Sequence, residues 1–198
     1  MQSFMSLVHI FSYLLVTYLI TAIPFGLVFA KFLKKDDLRT AGSKNIGATN
    51  ALRTGGKVLG SLTLLADLLK GFCFVFLAPK YIMPEIVAIV AVIGHIFSIW
   101  IGFKGGKGVA TALGALLGVY PIAALCSLVI WGAAIKLTKI SSLSALLAFL
   151  TLPLFGYLFY NHFTFFLVMS VVIFFTHIPN IKRLITGIEK PISKTESS

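Results

Sequence analysis

The sequence predicts an all-α integral membrane protein with seven transmembrane helices, N-terminus outside, C-terminus cytoplasmic, and two central helices that are short. Three observations carry that prediction. The first is composition: 58% of residues are hydrophobic, 12% are charged, and the mean hydropathy is +0.99. A soluble domain carries about a quarter charged residues, and a chain this apolar has too little polar surface to face water. The second is spacing, because long apolar blocks alternate with short polar segments. The third is the charge of those segments: 17 Lys and Arg against 6 Asp and Glu, a net +11. Basic residues set between apolar blocks mark cytoplasmic loops, so the excess is read as orientation and not as nucleic-acid binding. Residues 1–198 form a single polytopic membrane domain in this reading, without an internal repeat.

A bilayer core takes about 20 apolar residues as helix. Leu7 to Ala30 meets that length. Basic residues follow it (Lys31, Lys34, Lys35) and none precedes it, the order of an N-out anchor and not of a cleavable signal. After a polar stretch, Lys31 to Lys57, a second span runs from Val58 to Ala78. The turn Pro79 to Pro84 leads to a third span that ends near Ile101, and the glycine-rich segment Gly102 to Gly108 follows. Val109 to Ile135 is one long span or two short ones hinged at Tyr120-Pro121, since proline breaks a helix or starts one. Charge parity selects the hairpin: only then do Lys136, Lys139, Lys182, Arg183, Lys190 and Lys194 fall on the same side as Lys31 to Lys57. Each arm is then shorter than a full span and needs a thinned bilayer or shielding neighbours. Ser142 to Tyr160 and Phe163 to Ile178 complete the count. Only Lys80 sits clearly outside, and Lys190 to Ser198 reads as a loose polar tail.

The polar chemistry collects in Gly42–Lys57, Gly102–Gly108, Lys136–Ser144 and His177–Arg183, all on the cytoplasmic side of this topology. In the first, Ser43, Asn45, Thr49 and Asn50 offer hydrogen-bond donors and Arg53 a bidentate fork for phosphate or carboxylate. A solvated basic loop explains Lys57 but not so dense a packing of Asn, Thr and Gly. In the second, Phe103-Lys-Gly-Gly-Lys-Gly-Val-Ala-Thr111 opens an apolar helix. Glycines let backbone N–H groups converge on an anion, and the helix N-terminus adds its dipole. The segment fails the Walker pattern, because Ile101 stands at the first glycine position and Gly108 at the Ser/Thr position. In the third, His177 and Asn180 are three apart and share a face if helical, although Pro179 disfavours helical geometry at Ile178.

Inside the second span, Asp67 and Lys70 stand at i,i+3 and read as an ion pair that pins the span, with a functional role as the alternative. His95 follows Gly94 near the end of the third span and is placed to face the site. His9 and His162 are membrane-edge residues without an assigned role, and Cys73 and Cys126 are packing residues in apolar runs. No HxxxxD pair, Ser-His-Asp set or HExxH occurs, and the four polar segments hold no Asp or Glu. The expected site therefore binds anions without a strong base, a metal or another cofactor, as suits an electrophile that arrives activated with phosphate as its leaving group. An anion or phosphate-ester transporter is the rival reading, since basic, glycine-rich breaks at helix ends occur there too. A transporter needs a polar path through both halves of the membrane, and here the outer half is almost purely apolar.

Gly42-Ser-Lys-Asn-Ile-Gly-Ala-Thr-Asn50 with Arg53, then Gly94-His95, then Phe103 to Thr111, then His177-x-x-Asn180-Ile-Lys-Arg-Leu184 together resemble the bacterial acyl-phosphate:glycerol-3-phosphate acyltransferase family (PlsY). The resemblance covers nearly the whole chain. It implies a seven-helix monomer in the bacterial inner (cytoplasmic) membrane, with its active site on the cytoplasmic face and membrane lipid around it. The implied reaction moves an acyl group from acyl phosphate to the 1-hydroxyl of glycerol 3-phosphate, giving lysophosphatidic acid and phosphate for phospholipid biosynthesis. Acyl transfer is expected to be direct and substrate-assisted, a phosphate oxygen accepting the hydroxyl proton, with an acyl-enzyme on Ser43 as the weaker route. Ser43, Arg53, Lys104, His177 and Asn180 are the expected catalytic residues. Arg53, Lys104, His177 and Asn180 are placed on the phosphate of glycerol 3-phosphate. Ser43 and the backbone of Gly105, Gly106, Lys107 and Gly108 are placed mainly on the acyl phosphate. Asn45, Thr49, Asn50, Ser142 and His95 join the substrate-binding set. The sequence departs from the family pattern at Lys44, where Gly is common, at Ser98, where Pro is usual, and at Pro179, where an acidic residue often stands.

Overall fold

The structure, a computed structural model, describes residues 2–192. Among the described residues the regular structure is helical: α1 (Gln2–Thr21), α2 (Phe25–Phe32), α3 (Ala48–Phe76), α4 (Pro84–Ile96), α5 (Val109–Val119), α6 (Pro121–Thr138), α7 (Ser141–Leu150), α8 (Leu152–Phe155), α9 (Phe163–Thr176) and α10 (Ile178–Ile185). Four helical stretches are long and apolar enough to cross a membrane: Ala48–Phe76, Pro84–Ile101, Pro121–Thr138 and Ser141–Tyr160. Leu7–Thr21 with Phe25–Phe32, bent by 42°, and Phe163–Thr176 with Ile178–Ile185, bent by 64°, qualify as bent pairs, and Val109–Val119 is a shorter apolar helix. The predicted all-helical membrane architecture is therefore present, with four to six candidate spans by length and composition.

Proline and glycine set the breaks. Pro24 cannot donate to the helix ladder, and α1 turns into α2 there. The carbonyls freed at this bend are capped from elsewhere, as they must be in a membrane. Trp100 Nε1 donates to Leu19 O (2.9 Å), Ser98 Oγ to Ala22 O (2.5 Å) and Lys70 Nζ to Ile23 O (3.1 Å). The departure at Ser98 thus supplies a cap that proline could not. At the predicted hinge, Tyr120 leaves helical geometry and Pro121 opens α6. Only one of the two helices expected to be short is so: α5 has 11 residues, whereas α6 has 18 and runs past Ile135 to Thr138. The second span also starts earlier than expected. A first arm begins at Ala48, breaks at Gly56 (φ 85°) and folds back so that Leu52 packs on Gly60, where a methyl group would overlap it.

The core lies between α4, α5, α7 and α9, where Val87, Val92, Leu116, Phe149, Phe166, Met169 and Ile173 are buried. A smaller cluster of Ala30, Leu38, Ala51 and Leu59 sits under the polar loops. Helices α3 and α5 meet at small residues. A methyl group on Gly71 would strike the Thr111 carbonyl, and one on Gly114 the Leu68 carbonyl. Without a hydrophobic drive between helices in lipid, such close backbone approach supplies the dispersion contact that holds the pair. Phe11, Leu65, Phe76, Val129, Tyr157 and Phe175 point outward as the apolar perimeter.

Candidate active site

The four polar segments, far apart in sequence, are tied together at one end of the bundle. Thr49 Oγ1 and Ser141 Oγ lie 2.9 Å apart. Thr176 Oγ1 donates to Lys107 O at 3.0 Å. Arg53 Nη2 donates to Pro191 O at 3.1 Å, and the Ile192 N–H donates to Lys139 O at 2.8 Å. The start of the tail expected to be loose is therefore fastened at Lys190–Ile192, because the Arg53 guanidinium and the α6 end take its backbone groups. Residues 193–198 of that tail lie outside the described residues.

These ties enclose a cleft with an empty volume of about 1020 Å³, its open mouth included. Of the residues expected at the site, Ser43, Asn45, Thr49, Asn50, Arg53, His95, Lys107, Gly108, Ser142, His177 and Asn180 line it. Lys104, Gly105 and Gly106 are not among the lining residues. Lys104 is exposed. The Gly105 N–H donates to Ile96 O (2.9 Å) and the Gly106 N–H to His95 O (3.2 Å), so both amides are spent inside the protein. A methyl group on Gly106 would overlap His95 Nε2, and one on Gly105 the His95 and Ile96 carbonyls. These two glycines allow the loop to lie against α4 and do not cradle an anion. Gly108, Val109 and Ala110, which open α5, are the residues of this segment's helical end that line the cleft, and a helix N-terminus suits an anion.

Asn50 also does other work than expected. It is 1% exposed. Its Oδ1 accepts the Ser43 N–H (2.8 Å), and its Nδ2 donates to Leu38 O (2.9 Å) and Ala41 O (3.1 Å). With both ends of the amide engaged, Asn50 shapes the loop that presents Ser43 and Asn45. Gly42 (φ 59°) packs directly on it. Lys44 (φ 60°) adopts the left-handed conformation next to this turn, a geometry that glycine takes more readily than lysine.

Two carboxylates line the cleft, contrary to the expectation of a site without acidic residues. Glu189 lies just beyond the His177–Arg183 segment, and the turn at Gly187 (φ 71°) brings it back. Its carboxylate accepts from Ser142 Oγ (2.7 Å), Asn180 Nδ2 (2.5 Å) and Arg183 Nε (2.5 Å). Burial works against its charged form, yet these hydrogen bonds and the Arg183 charge hold the Glu189 carboxyl below its ordinary value. Pro179 sits in the first turn of α10, where a missing N–H costs nothing, so helical geometry persists and Asn180 reaches Glu189. The second carboxylate, Asp67, makes the predicted pair with Lys70 (2.8 Å) and stands 3.5 Å from His95 Nδ1.

The cationic residues lining the cleft are Arg53, Lys107 and Lys190. Arg53 Nε is buried without a protein partner. Burial, opposed by Glu189 and reinforced by the Arg183 and Arg53 charges, lowers the Lys107 pKa to about 8. His177 Nδ1 lies 2.8 Å from Ile173 O. A carbonyl only accepts, so Nδ1 carries the proton and neutral His177 keeps its lone pair on Nε2. The same cleft carries apolar walls from Leu64, Leu113, Leu128, Trp131 and Ala145.

Apolar spans and a one-ended polar cleft, where Arg53, Lys107, Lys190 and a helix N-terminus stand beside apolar walls, are the features of an integral membrane protein with a site suited to an amphipathic anion. Residues 11–187 match the family described as glycerol-3-phosphate acyltransferase. The glycerol-3-phosphate acyltransferase of Bartonella quintana is 45% identical over 195 residues, 93% of this chain and 92% of that protein. That of Pelagibacter ubique is 45% identical over 173 residues, covering 85% and 90%. The crystal structure of PlsY (YgiH), an integral membrane glycerol 3-phosphate acyltransferase, in its glycerol 3-phosphate form superposes with a TM-score of 0.86 at 37% identity, covering 91% of this chain and 94% of that one. Its lysophosphatidic acid form gives 0.84 at 36% identity. The chain belongs to the glycerol-3-phosphate acyltransferase family.

Proposed function

We propose that this protein transfers an acyl group from acyl phosphate to the 1-hydroxyl of glycerol 3-phosphate at the cytoplasmic face of the bacterial inner membrane, giving lysophosphatidic acid and phosphate. It is a seven-span monomer in this reading. The observation that carries the reading is the composition of the cleft described above, where Arg53, Lys107 and the α5 N-terminus stand beside Leu113, Leu128 and Trp131. Phosphates take the first set and an acyl chain the second. Arg53 and Asn180 hold the glycerol 3-phosphate phosphate. Lys107, the α5 amides and Ser43 hold the acyl phosphate. Neutral His177 presents an acceptor and orients the attacking hydroxyl.

Transfer is direct. The hydroxyl oxygen bonds to the acyl carbon, the acyl–phosphate bond breaks, and the proton goes to a substrate phosphate oxygen. Support comes from the state of the carboxylates: Glu189 accepts three hydrogen bonds and is a weakened base, and Asp67 is paired with Lys70. Catalysis then rests on holding hydroxyl and carbonyl together and on stabilising developing charge. Purified protein given acyl phosphate and glycerol 3-phosphate releases phosphate and forms lysophosphatidic acid in equal amounts. Acyl transfer from acyl-CoA alone at the same rate refutes the donor assignment. Phosphate-ester uptake into proteoliposomes without phosphate release refutes the transferase, and an acyl group trapped on Ser43 refutes direct transfer.

A further inference from the structure

The buried triad Lys70–Asp67–His95 is not used by the transfer chemistry above. Asp67 and Lys70 are each 3% exposed at the side chain, and His95 is 5% exposed. Burying three ionisable groups at this depth is expensive unless they satisfy one another. Lys70 is also anchored outside the triad, donating to Ile23 O at the α1–α2 bend and standing 5.6 Å over the Phe25 ring. A pair that merely pinned α3 would need no histidine.

His95 is where the triad touches the site. Its carbonyl accepts the Gly106 N–H, its ring abuts Gly106 so closely that a methyl group there would overlap Nε2, and the next carbonyl, of Ile96, accepts the Gly105 N–H. The following residue is Lys107, whose own carbonyl is held from the opposite side by Thr176. The chain of contacts runs from Lys70 through Asp67 and His95 to the glycine pair and ends at Lys107 and the α5 N-terminus. We propose that His95, buried 3.5 Å from the carboxylate of the Asp67–Lys70 pair, is a positioning residue that sets the Phe103–Gly108 loop and so keeps Lys107 half-buried in the cleft.

The inference deepens the reading under Proposed function and rests on it for the purpose of Lys107, but its test needs no turnover. Around Lys107 stand Arg53 of α3, His177 at the α9–α10 bend, Arg183 of α10 and Glu189. Burial is the largest influence that depresses Lys107. A loop released from His95 exposes the ammonium to water, and its titration moves up toward the ordinary lysine value of about 10.4.

The full-length protein in detergent is labelled with acetic anhydride across pH, and modification of Lys107 is read by peptide mass spectrometry. In the parent the labelling midpoint lies near 8. In His95→Ala and in Gly106→Ala, which pushes the loop off the ring from the other side, the midpoint rises by about one unit or more. His95→Asn, which keeps a donor toward Asp67, moves it less than His95→Ala. Where His95→Ala does not fold, Gly106→Ala carries the test. A midpoint unchanged in folded Gly106→Ala and His95→Asn overturns the proposal and leaves the triad a purely structural pin. A midpoint raised in these variants, together with a parent that releases no phosphate from acyl phosphate, sustains the positioning role and sinks the transferase reading separately.

Discussion

At the scale of single residues, the sequence shows which chemical groups are present, and the structure shows where their hydrogen bonds go. Arg53 and Asn50 look alike in the sequence as polar residues of one loop. In the fold, Asn50 is saturated by Ser43, Leu38 and Ala41, while Arg53 keeps a buried Nε without a protein partner. One hydrogen bond to a charged group contributes about 1.5–3 kcal/mol. Arg53→Ala is therefore expected to lower kcat/KM for glycerol 3-phosphate on the order of ten- to a hundredfold, with the protein still inserted and folded. Lys80→Ala, at the opposite end of the bundle, leaves kcat/KM unchanged. Steady-state assays of the two purified variants check this, and a fully active Arg53→Ala removes Arg53 from the site.

Lys107 supports a pH prediction at the same scale. Its pKa is lowered to about 8, so the charged form that attracts phosphate is complete well below pH 8 and disappears as pH rises through that value. The pH profile of kcat/KM reports groups of the unliganded enzyme, and it falls on its alkaline side near pH 8. Arginine keeps its charge far above this range, so Lys107→Arg removes the alkaline fall even where it lowers the plateau. An identical alkaline limb in Lys107→Arg and the parent assigns that limb to another group.

At the scale of elements, the break at Tyr120-Pro121 was legible, whereas the break at Pro24, inside the span read from Leu7 to Ala30, and the break at Gly56 were not. Tyr120-Pro121 and Pro24 stand where helices turn, because proline removes a donor wherever it falls. Gly56 is one of several glycines between residues 42 and 60, and only tertiary packing of Leu52 on Gly60 selects it as the kink. The return of Glu189 onto Ser142 and Asn180 was likewise invisible, since it depends on α10 lying 64° off α9. Glycines at helix contacts carry a second meaning that a mutation can read. Gly114 meets the Leu68 carbonyl, a backbone atom that no rotamer change can move, whereas Gly132 faces open space. Alanine is the better helix former by about 1 kcal/mol. Gly132→Ala is thus neutral or slightly stabilising, and Gly114→Ala is destabilising by about 1–3 kcal/mol from overpacking. Thermal melts of the two variants in detergent check the sign. Equal melting temperatures would deny that α3 and α5 pack backbone to backbone.

At the scale of the whole molecule, charge parity is what made the site legible before any geometry. Four polar segments, separated by long apolar runs, were assigned to one side from the count of Lys and Arg, and the hydrogen bonds Thr49–Ser141, Thr176–Lys107 and Arg53–Pro191 join those segments at one end. The opposite end is built differently, from Tyr120 donating to Glu85 (2.6 Å) with His162 beside it. The orientation that the positive-inside bias predicts for that axis can be tested without reference to activity. Single cysteines at Lys80 and at Lys136 carry opposite expectations in right-side-out cells: Lys80→Cys reacts with a membrane-impermeant maleimide before lysis, and Lys136→Cys reacts only after it. Cys73 and Cys126, within α3 and α6, serve as the background to be subtracted. Because Lys136 lies in the last turn of α6 and Lys139 caps it, they report the parity of the α5–α6 hairpin directly. Both sites reacting from outside would mean that Val109–Thr138 crosses once, and the cleft would then have to draw its α7 and α10 residues from the other face of the membrane, which the Thr49–Ser141 and Arg53–Pro191 contacts forbid.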